Sequence, residues 1–201
     1  DSTGYMEHTL KVWEELGFRF DAVSTGFIVS DVQAQLVTDY CLRQAERGVL
    51  IFCDPIMGDD GKLYNGMSME TVKNMRKLVS CADYAVPNYT EAALLAGEPY
   101  LESPEEGDIR RLIGKLREIG AKSVAVTSVR LQGVDQVYCY DAALDRYFGL
   151  PFDCLPVRFP GTGDIFSAVM LGQILKGKDM EESVRKAMTV VRRMIELNLG
   201  N

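Results

Sequence analysis

Short runs rich in Val, Ile, Phe and Tyr alternate with amphipathic stretches along the whole chain, and this alternation restricts the fold more than any other feature. A strand with no polar face needs cover on both sides, which a mainly parallel sheet between layers of helices supplies. The expected class is therefore α/β, built from strand–helix–strand units. A first helix is expected over residues 4–16, with Met6, Leu10, Trp13 and Leu16 near one face and Gly17 as the left-handed stop. Strands are expected over 20–25, 49–53, 83–86 and 122–127. Ser30 and Gln33 form a capping-box pattern ahead of a helix whose Val32, Leu36, Val37, Tyr40 and Cys41 face inward, ended by Gly48. Ser68 caps a helix that groups Val72, Met75 and Val79, and a short helix after Asn88 ends at Gly97. Ser103 as N-cap, Pro104 at the first position and Glu106 as capping-box acid start a helix carrying Ile109, Leu112, Ile113, Leu116 and Ile119, closed by Gly120. Residues 136–140 and 146–150 read as an antiparallel pair appended to the sheet, and one more strand runs into Phe159. Helices over 164–175, stopped by Gly177, and 179–197 finish the chain.

No linker, repeat or low-complexity tract interrupts this pattern, so residues 1–201 are read as a single domain. Both ends read as incomplete, because a doubly wound domain normally opens on a strand and this chain opens on a polar stretch and a helix, without an initiating Met. With 29 acidic against 22 basic side chains, the net charge of −7 argues against a nucleic-acid partner held by counterion release. No apolar stretch approaches the ~20 residues of a membrane span, and no basic region precedes an apolar run near the start. A soluble, cytoplasmic protein with no membrane partner is expected. Five cysteines, an odd number without C-x-x-C spacing, suggest reduced core residues rather than a disulfide framework or zinc site.

Four polar clusters follow strands. Pro160-Gly161-Thr162-Gly163-Asp164 lies where a strand gives way to an apolar helix. Its glycines permit a sharp turn and leave amides unobstructed at a helix N-terminus, a plausible anion hole, and Asp164 is placed as a general base for a phosphoryl-accepting hydroxyl. Taken alone, Asp164 also reads as an ordinary acid in a helix's first turn. Asp54-Pro55-Ile56-Met57-Gly58-Asp59 leaves a buried strand at the edge where open α/β sheets bind ligands, and its two carboxylates suit Mg²⁺ or phosphate-bound water. The alternative there is a turn at Asp59, Asp60 and Gly61 whose carboxylates satisfy local amides. Pro87-Asn88-Tyr89-Thr90-Glu91 offers an amide oxygen and a carboxylate, with Glu91 reaching Mg²⁺ through water, or else a helix cap. Thr127 and Ser128 end a strand with two hydroxyls suited to nucleotide phosphates. The single histidine, His8, reads as solvated; neither a Ser/His/Asp triad nor a P-loop is present.

In their order, D-P-I-M-G-D, P-N-Y-T-E, V-T-S and P-G-T-G-D-I-F resemble the signature of the ribokinase-like superfamily, and within it the pyridoxal/pyridoxamine kinases. The resemblance implies a three-layer α/β/α fold, its mainly parallel sheet flanked by helices with an antiparallel hairpin at one side and its first and last elements missing here. It implies ATP-dependent phosphorylation of the 5′-hydroxymethyl group of pyridoxal, pyridoxamine or pyridoxine. Hydroxymethylpyrimidine kinase activity or a catalytically inactive nucleotide-binding regulator are the alternatives. By this resemblance Asp164 is the base and Gly161, Thr162 and Gly163 the anion hole. Asp54, Asp59, Asn88 and Glu91 lie near Mg²⁺ and the ATP phosphates, Asp54, Asp59 and Glu91 on the metal side. Thr127 and Ser128 contact the nucleotide, Phe159 helps wall the adenine pocket, Tyr64 sits on a flap over the substrate, and Phe27 is on the substrate side. ATP and Mg²⁺ are the implied cofactors, K⁺ an optional activator, and a homodimer the implied assembly.

Overall fold

The computed structural model describes residues 2–155, 157 and 159–199. In chain order the elements are α1 (Thr3–Glu15), β1 (Ala22–Thr25), α2 (Asp31–Glu46), β2 (Leu50–Cys53), β3 (Gly58–Asp59), β4 (Lys62–Leu63), α3 (Met69–Val79), β5 (Tyr84–Ala85), α4 (Tyr89–Ala96), α5 (Glu106–Ile119), β6 (Ser123–Leu131), β7 (Val134–Asp141), β8 (Arg146–Pro151), α6 (Thr162–Leu175) and α7 (Met180–Leu199). One sheet has the order β1-β2-β5-β6-β7-β8. Its first four strands run parallel, and β7 and β8 add antiparallel, as the polar–apolar pattern of 136–150 suggests.

Alternation along the strands divides the core into two. Cys53, Val124, Val126, Tyr138 and Tyr140 face a cluster with Ala34 of α2, Met75 of α3, Leu95 of α4 and Ile113 of α5. Phe52, Ala125, Val137 and Cys139 face the opposite side, under Phe166 and Met170 of α6 and Val184 and Ala187 of α7. The result is the expected α/β/α layering. No helix among the described residues is long and apolar enough to cross a membrane.

Several local expectations need correction. The cap of α5 is Glu105, not Ser103: its amide donates to the Asp108 carboxylate at 2.9 Å, while Glu106 is drawn instead to Arg110 and the Tyr138 hydroxyl. The Ser30 hydroxyl does accept from the Gln33 amide at 3.2 Å, but Gln33 reaches back to the Val29 amide rather than closing a box on Ser30. Val32 points outward, 64% exposed, because the inward stripe of α2 runs through Ala34, Thr38 and Cys41. No residue of α1 is fully buried; Met6 packs at the core margin, Trp13 tilts onto Phe20 at 5.4 Å, and Leu16 falls past the last turn in the open. No strand leads into Phe159 among the described residues. Pro151 and Pro160, at the two ends of that stretch, cannot donate to a ladder, and residues 156 and 158 lie outside the described residues. Of the cysteines, Cys41, Cys53 and Cys139 are buried as expected, whereas Cys81 is half-buried and Cys154 exposed; all five are free thiols.

The sequence reading also lacked the β3–β4 hairpin. Asp60 (φ 50°) and Gly61 (φ 75°) are its two left-handed turn residues, the arrangement whose twist suits a two-residue hairpin. Gly58 is required by space: a Cβ there would stand 2.4 Å from the Lys62 carbonyl oxygen.

Candidate active site

Parallel strands deliver their C-terminal ends to one edge, where the outgoing loops are stitched together by backbone bonds. The Asp54 amide donates to the Thr25 carbonyl at 3.0 Å, the Val86 amide to Cys53 at 2.8 Å, and the Thr127 amide to Pro87 at 2.9 Å. A parallel bridge joins Asn88 and Thr127. Thr25, Asp54, Asn88 and Thr127 therefore stand side by side along the edge at which open α/β sheets take ligands. Ser128 follows in the left-handed conformation (φ 56°), inside the irregularity that separates the paired segments around Val126 and Val129. The strand accordingly continues to Leu131 instead of ending at Thr127.

Asn88 and Glu91 form a reciprocal cap on α4. The Asn88 side-chain oxygen accepts from the Glu91 amide at 2.9 Å, and the Glu91 carboxylate accepts from the Asn88 amide at 2.8 Å. The other Glu91 oxygen accepts from the Met57 amide at 3.0 Å, with Gly58 at 3.5 Å, and the Asn88 amide group donates to the Gly58 carbonyl at 2.8 Å. Both side chains thus pin the loop after β2 to the start of α4. Burial pushes the Glu91 carboxyl up to about 8, against the pull of the amides it accepts from and with the Asp54 charge adding to the rise. Thr90 and Tyr100 hold the hairpin tip: the Gly61 amide donates to the Thr90 hydroxyl at 2.9 Å, and Tyr100 packs against Gly61 and Tyr89.

Helix α6 enters the same edge. Gly161, left-handed at φ 82°, is its N-cap, so no side chain covers the first-turn amides. Those amides have no acceptor within the helix and present the positive end of its dipole. Asp164 lies in this turn with its carboxylate exposed. One turn further, the Ser167 hydroxyl donates to Asp54 Oδ2 at 2.8 Å, joining α6 to the end of β2. Residues three apart share a helix face, so Asp164 and Ser167 both look toward Asp54. Burial raises the Asp54 carboxyl to about 6; the Ser167 bond opposes that rise, and the charge of Asp164 adds to it. Asp54 and Asp164 are thus electrostatic neighbours, although 110 positions separate them in sequence.

The remaining candidates are distributed differently. Asp59 is exposed on β3 and accepts from the Asp60 amide at 2.9 Å, the local turn bond expected of this stretch. Tyr64 follows β4, 44% exposed, its amide donating to the Met57 carbonyl at 3.0 Å, and Phe27 is 53% exposed. Phe159 is half-buried. Asp54, Asp59 and Glu91 are not gathered into a three-carboxylate cage: among the described residues no group of three or more His, Cys, Asp or Glu side chains could hold a metal ion. Mg²⁺ commonly takes one or two carboxylates and completes its shell with phosphates and water, and Asp54 suits that chemistry with Oδ1 lacking a protein partner among the described residues. Ser167 was missed in the sequence reading. Its signal was a lone hydroxyl within a helix otherwise mostly apolar beyond the first turn.

Comparison with known proteins gives a consistent result. The family model described as phosphomethylpyrimidine kinase matches residues 9–201. A pyridoxal kinase of Arabidopsis thaliana is 30% identical over 187 residues, covering 89% of this chain and 59% of the relative's own length. A Bacteroides thetaiotaomicron protein, provisionally described as a phosphomethylpyrimidine kinase, superposes at a TM-score of 0.95 with 33% identity over 100% of this chain and 70% of its own. A second crystal form of it, with pyridoxal, gives 0.87 and 34% over 93% and 66%. The pyridoxal kinase of Leishmania donovani in complex with ADP and pyridoxine gives 0.79 with 25% identity over 96% and 70%.

Proposed function

Because this chain belongs to the phosphomethylpyrimidine kinase family, we propose that it transfers the γ-phosphoryl group of ATP to the 5′-hydroxymethyl group of a vitamin B6 alcohol, namely pyridoxal, pyridoxamine or pyridoxine. The observation that carries this reading is the meeting of Asp164, at the open N-terminus of α6, with Asp54 at the end of β2. The family relative holding pyridoxal and the one holding ADP with pyridoxine support the same pair of substrates.

In the proposed reaction Asp164 takes the proton of the attacking hydroxymethyl group as its oxygen bonds to the γ-phosphorus and the bond to the ADP oxygen breaks. The amides of Thr162 and Gly163, freed by the left-handed Gly161, donate to the charge spread over the transferred group. Asp54 and, from the hairpin, Asp59 would hold Mg²⁺, which when bound neutralises charge on the β- and γ-phosphates. Asn88 and Glu91 serve that side by holding the Asp54–Asp59 loop against α4. Thr127 and Ser128 contact the nucleotide, and Phe159 contributes to the adenine wall. Tyr64, on the hairpin, closes over the reacting groups and excludes water, and Phe27 meets the pyridine ring. A homodimer in the cytoplasm completes the reading, with sedimentation of the full chain as its check.

The decisive comparison is Asp164→Asn. Turnover of pyridoxal should fall by at least 10²-fold, as loss of a general base does, while ATP binding stays near that of the unaltered protein. Undiminished turnover would remove Asp164 from its role. Hydroxymethylpyrimidine is the second alcohol to assay, and a parallel measurement on it and on pyridoxal ranks the two.

A further inference from the structure

A hydroxyl in a helix interior ordinarily returns its proton to the carbonyl one turn back. Helix α7 shows this twice: Ser183 donates to the Asp179 carbonyl at 2.7 Å and Thr189 to the Arg185 carbonyl at 2.8 Å. Ser167 departs from that habit. It is 7% exposed, lies between Phe166 and Ala168 on an apolar helix, and directs its proton 113 positions back in the chain, to Asp54 Oδ2 at 2.8 Å.

The receiving residue is already fixed in its backbone. The Asp54 amide donates to Thr25, and the Asp54 carbonyl accepts from the Ile56 amide at 2.9 Å. Pro55 restricts the residue before it. What remains free is the rotation of the Asp54 side chain, and Ser167 removes that freedom by holding one carboxylate oxygen. The other, Oδ1, is left for a ligand. Asp164 shares the helix face of Ser167, so the same bond sets how far the base stands from the carboxylate opposite it.

Resting on the kinase reading above, we propose that Ser167 is a positioning residue that orients the Asp54 carboxylate for the divalent cation of the metal–nucleotide complex and locks the base-bearing first turn of α6 to the end of β2. Residues that orient a metal-binding group typically carry a 10- to 100-fold effect on metal affinity. Among the described residues the Ser167 hydroxyl has no other hydrogen-bonding partner through which such an effect could run.

The test is direct binding without turnover. Mn²⁺ is titrated into the full chain by electron paramagnetic resonance in the presence of a non-hydrolysable ATP analogue, for the unaltered protein, Ser167→Ala and Ser167→Cys. Both variants should weaken Mn²⁺ binding by about 10- to 100-fold. The cysteine nearly preserves volume but is a poor donor, so equal losses assign the effect to the hydrogen bond. Melting temperatures should stay within a few degrees of the unaltered protein. Unchanged Mn²⁺ affinity in Ser167→Ala overturns the proposal, as does full retention by Ser167→Cys, which would leave packing as the cause. The substrate reading fails separately: an unaltered protein that binds Mn²⁺ and the analogue but phosphorylates no B6 alcohol refutes that reading and leaves the role of Ser167 standing.

Discussion

Glu91 couples the stability of the metal-free protein to pH through a buried carboxyl. Its ordinary value of 4.5 rises to about 8 in the folded chain, burial being the largest cause. Between those two values the folded protein keeps a proton that the unfolded chain has released, so stability falls as pH climbs through this window and levels off above it. At ~1.4 kcal/mol per pH unit the loss amounts to on the order of 3–5 kcal/mol. Glu91→Gln removes the ionisation but turns an NH₂ group toward amides that now need an acceptor, a cost of about 1–3 kcal/mol present at every pH. The variant should therefore be the weaker or equal protein at pH 5, the two stabilities should cross between about pH 5 and 7, and the variant should be the more stable of the two at pH 9. Asp54, whose carboxyl rises to about 6, contributes a smaller total loss over a narrower window at the acid end, shared by both proteins. Urea unfolding at one-unit intervals from pH 5 to 9 measures the effect. Parallel curves with a constant gap would refute the reasoning, since they would mean that Glu91 ionises as readily in the fold as in the open chain.

Gly58→Ala should open the β3–β4 hairpin, because the new methyl meets a backbone carbonyl at 2.4 Å that has nowhere to retreat. A loss of about 1–3 kcal/mol and faster proteolytic cutting between residues 58 and 64 are expected, and unchanged digestion would contradict this. Ser30→Ala should remove the α2 cap at a cost of ~1 kcal/mol, read as a melting temperature lower by about 2–4 °C. No shift would mean that the Gln33–Val29 bond caps the helix unaided.

The elements with strong local signals were legible from the residues. Ser30, Ser68, Asn88 and Gly97 mark helix ends where the structure has them. The apolar runs at 50–53 and 124–126 lie in strands, since a short fully apolar run has little choice once helices flank it. Signals that depend on competition between neighbours were harder to read. Ser103 and Glu105 are both reasonable caps for α5, and the choice fell to Glu105 because Asp108 takes its amide while Tyr138, from a strand 32 positions on, helps draw Glu106 away. Val32 lies next to the buried Gln33 and Ala34, but the face of α2 that packs on the core runs through Ala34, Thr38 and Cys41 and leaves Val32 outside it.

What the sequence determined by itself was the layered α/β plan and the identity of the chemically capable residues, because periodicity, capping and turn chemistry act over a few positions at a time. Tertiary packing decided how those residues are used. It made Glu91, whose sequence context allowed either a helix cap or a metal-side acid, a buried clasp between two loops, and it brought Asp54 under Ser167 and beside Asp164. Such pairings arise only when helix α6 settles on the sheet, since no local rule relates groups more than a hundred positions apart until burial of apolar surface has brought their elements together.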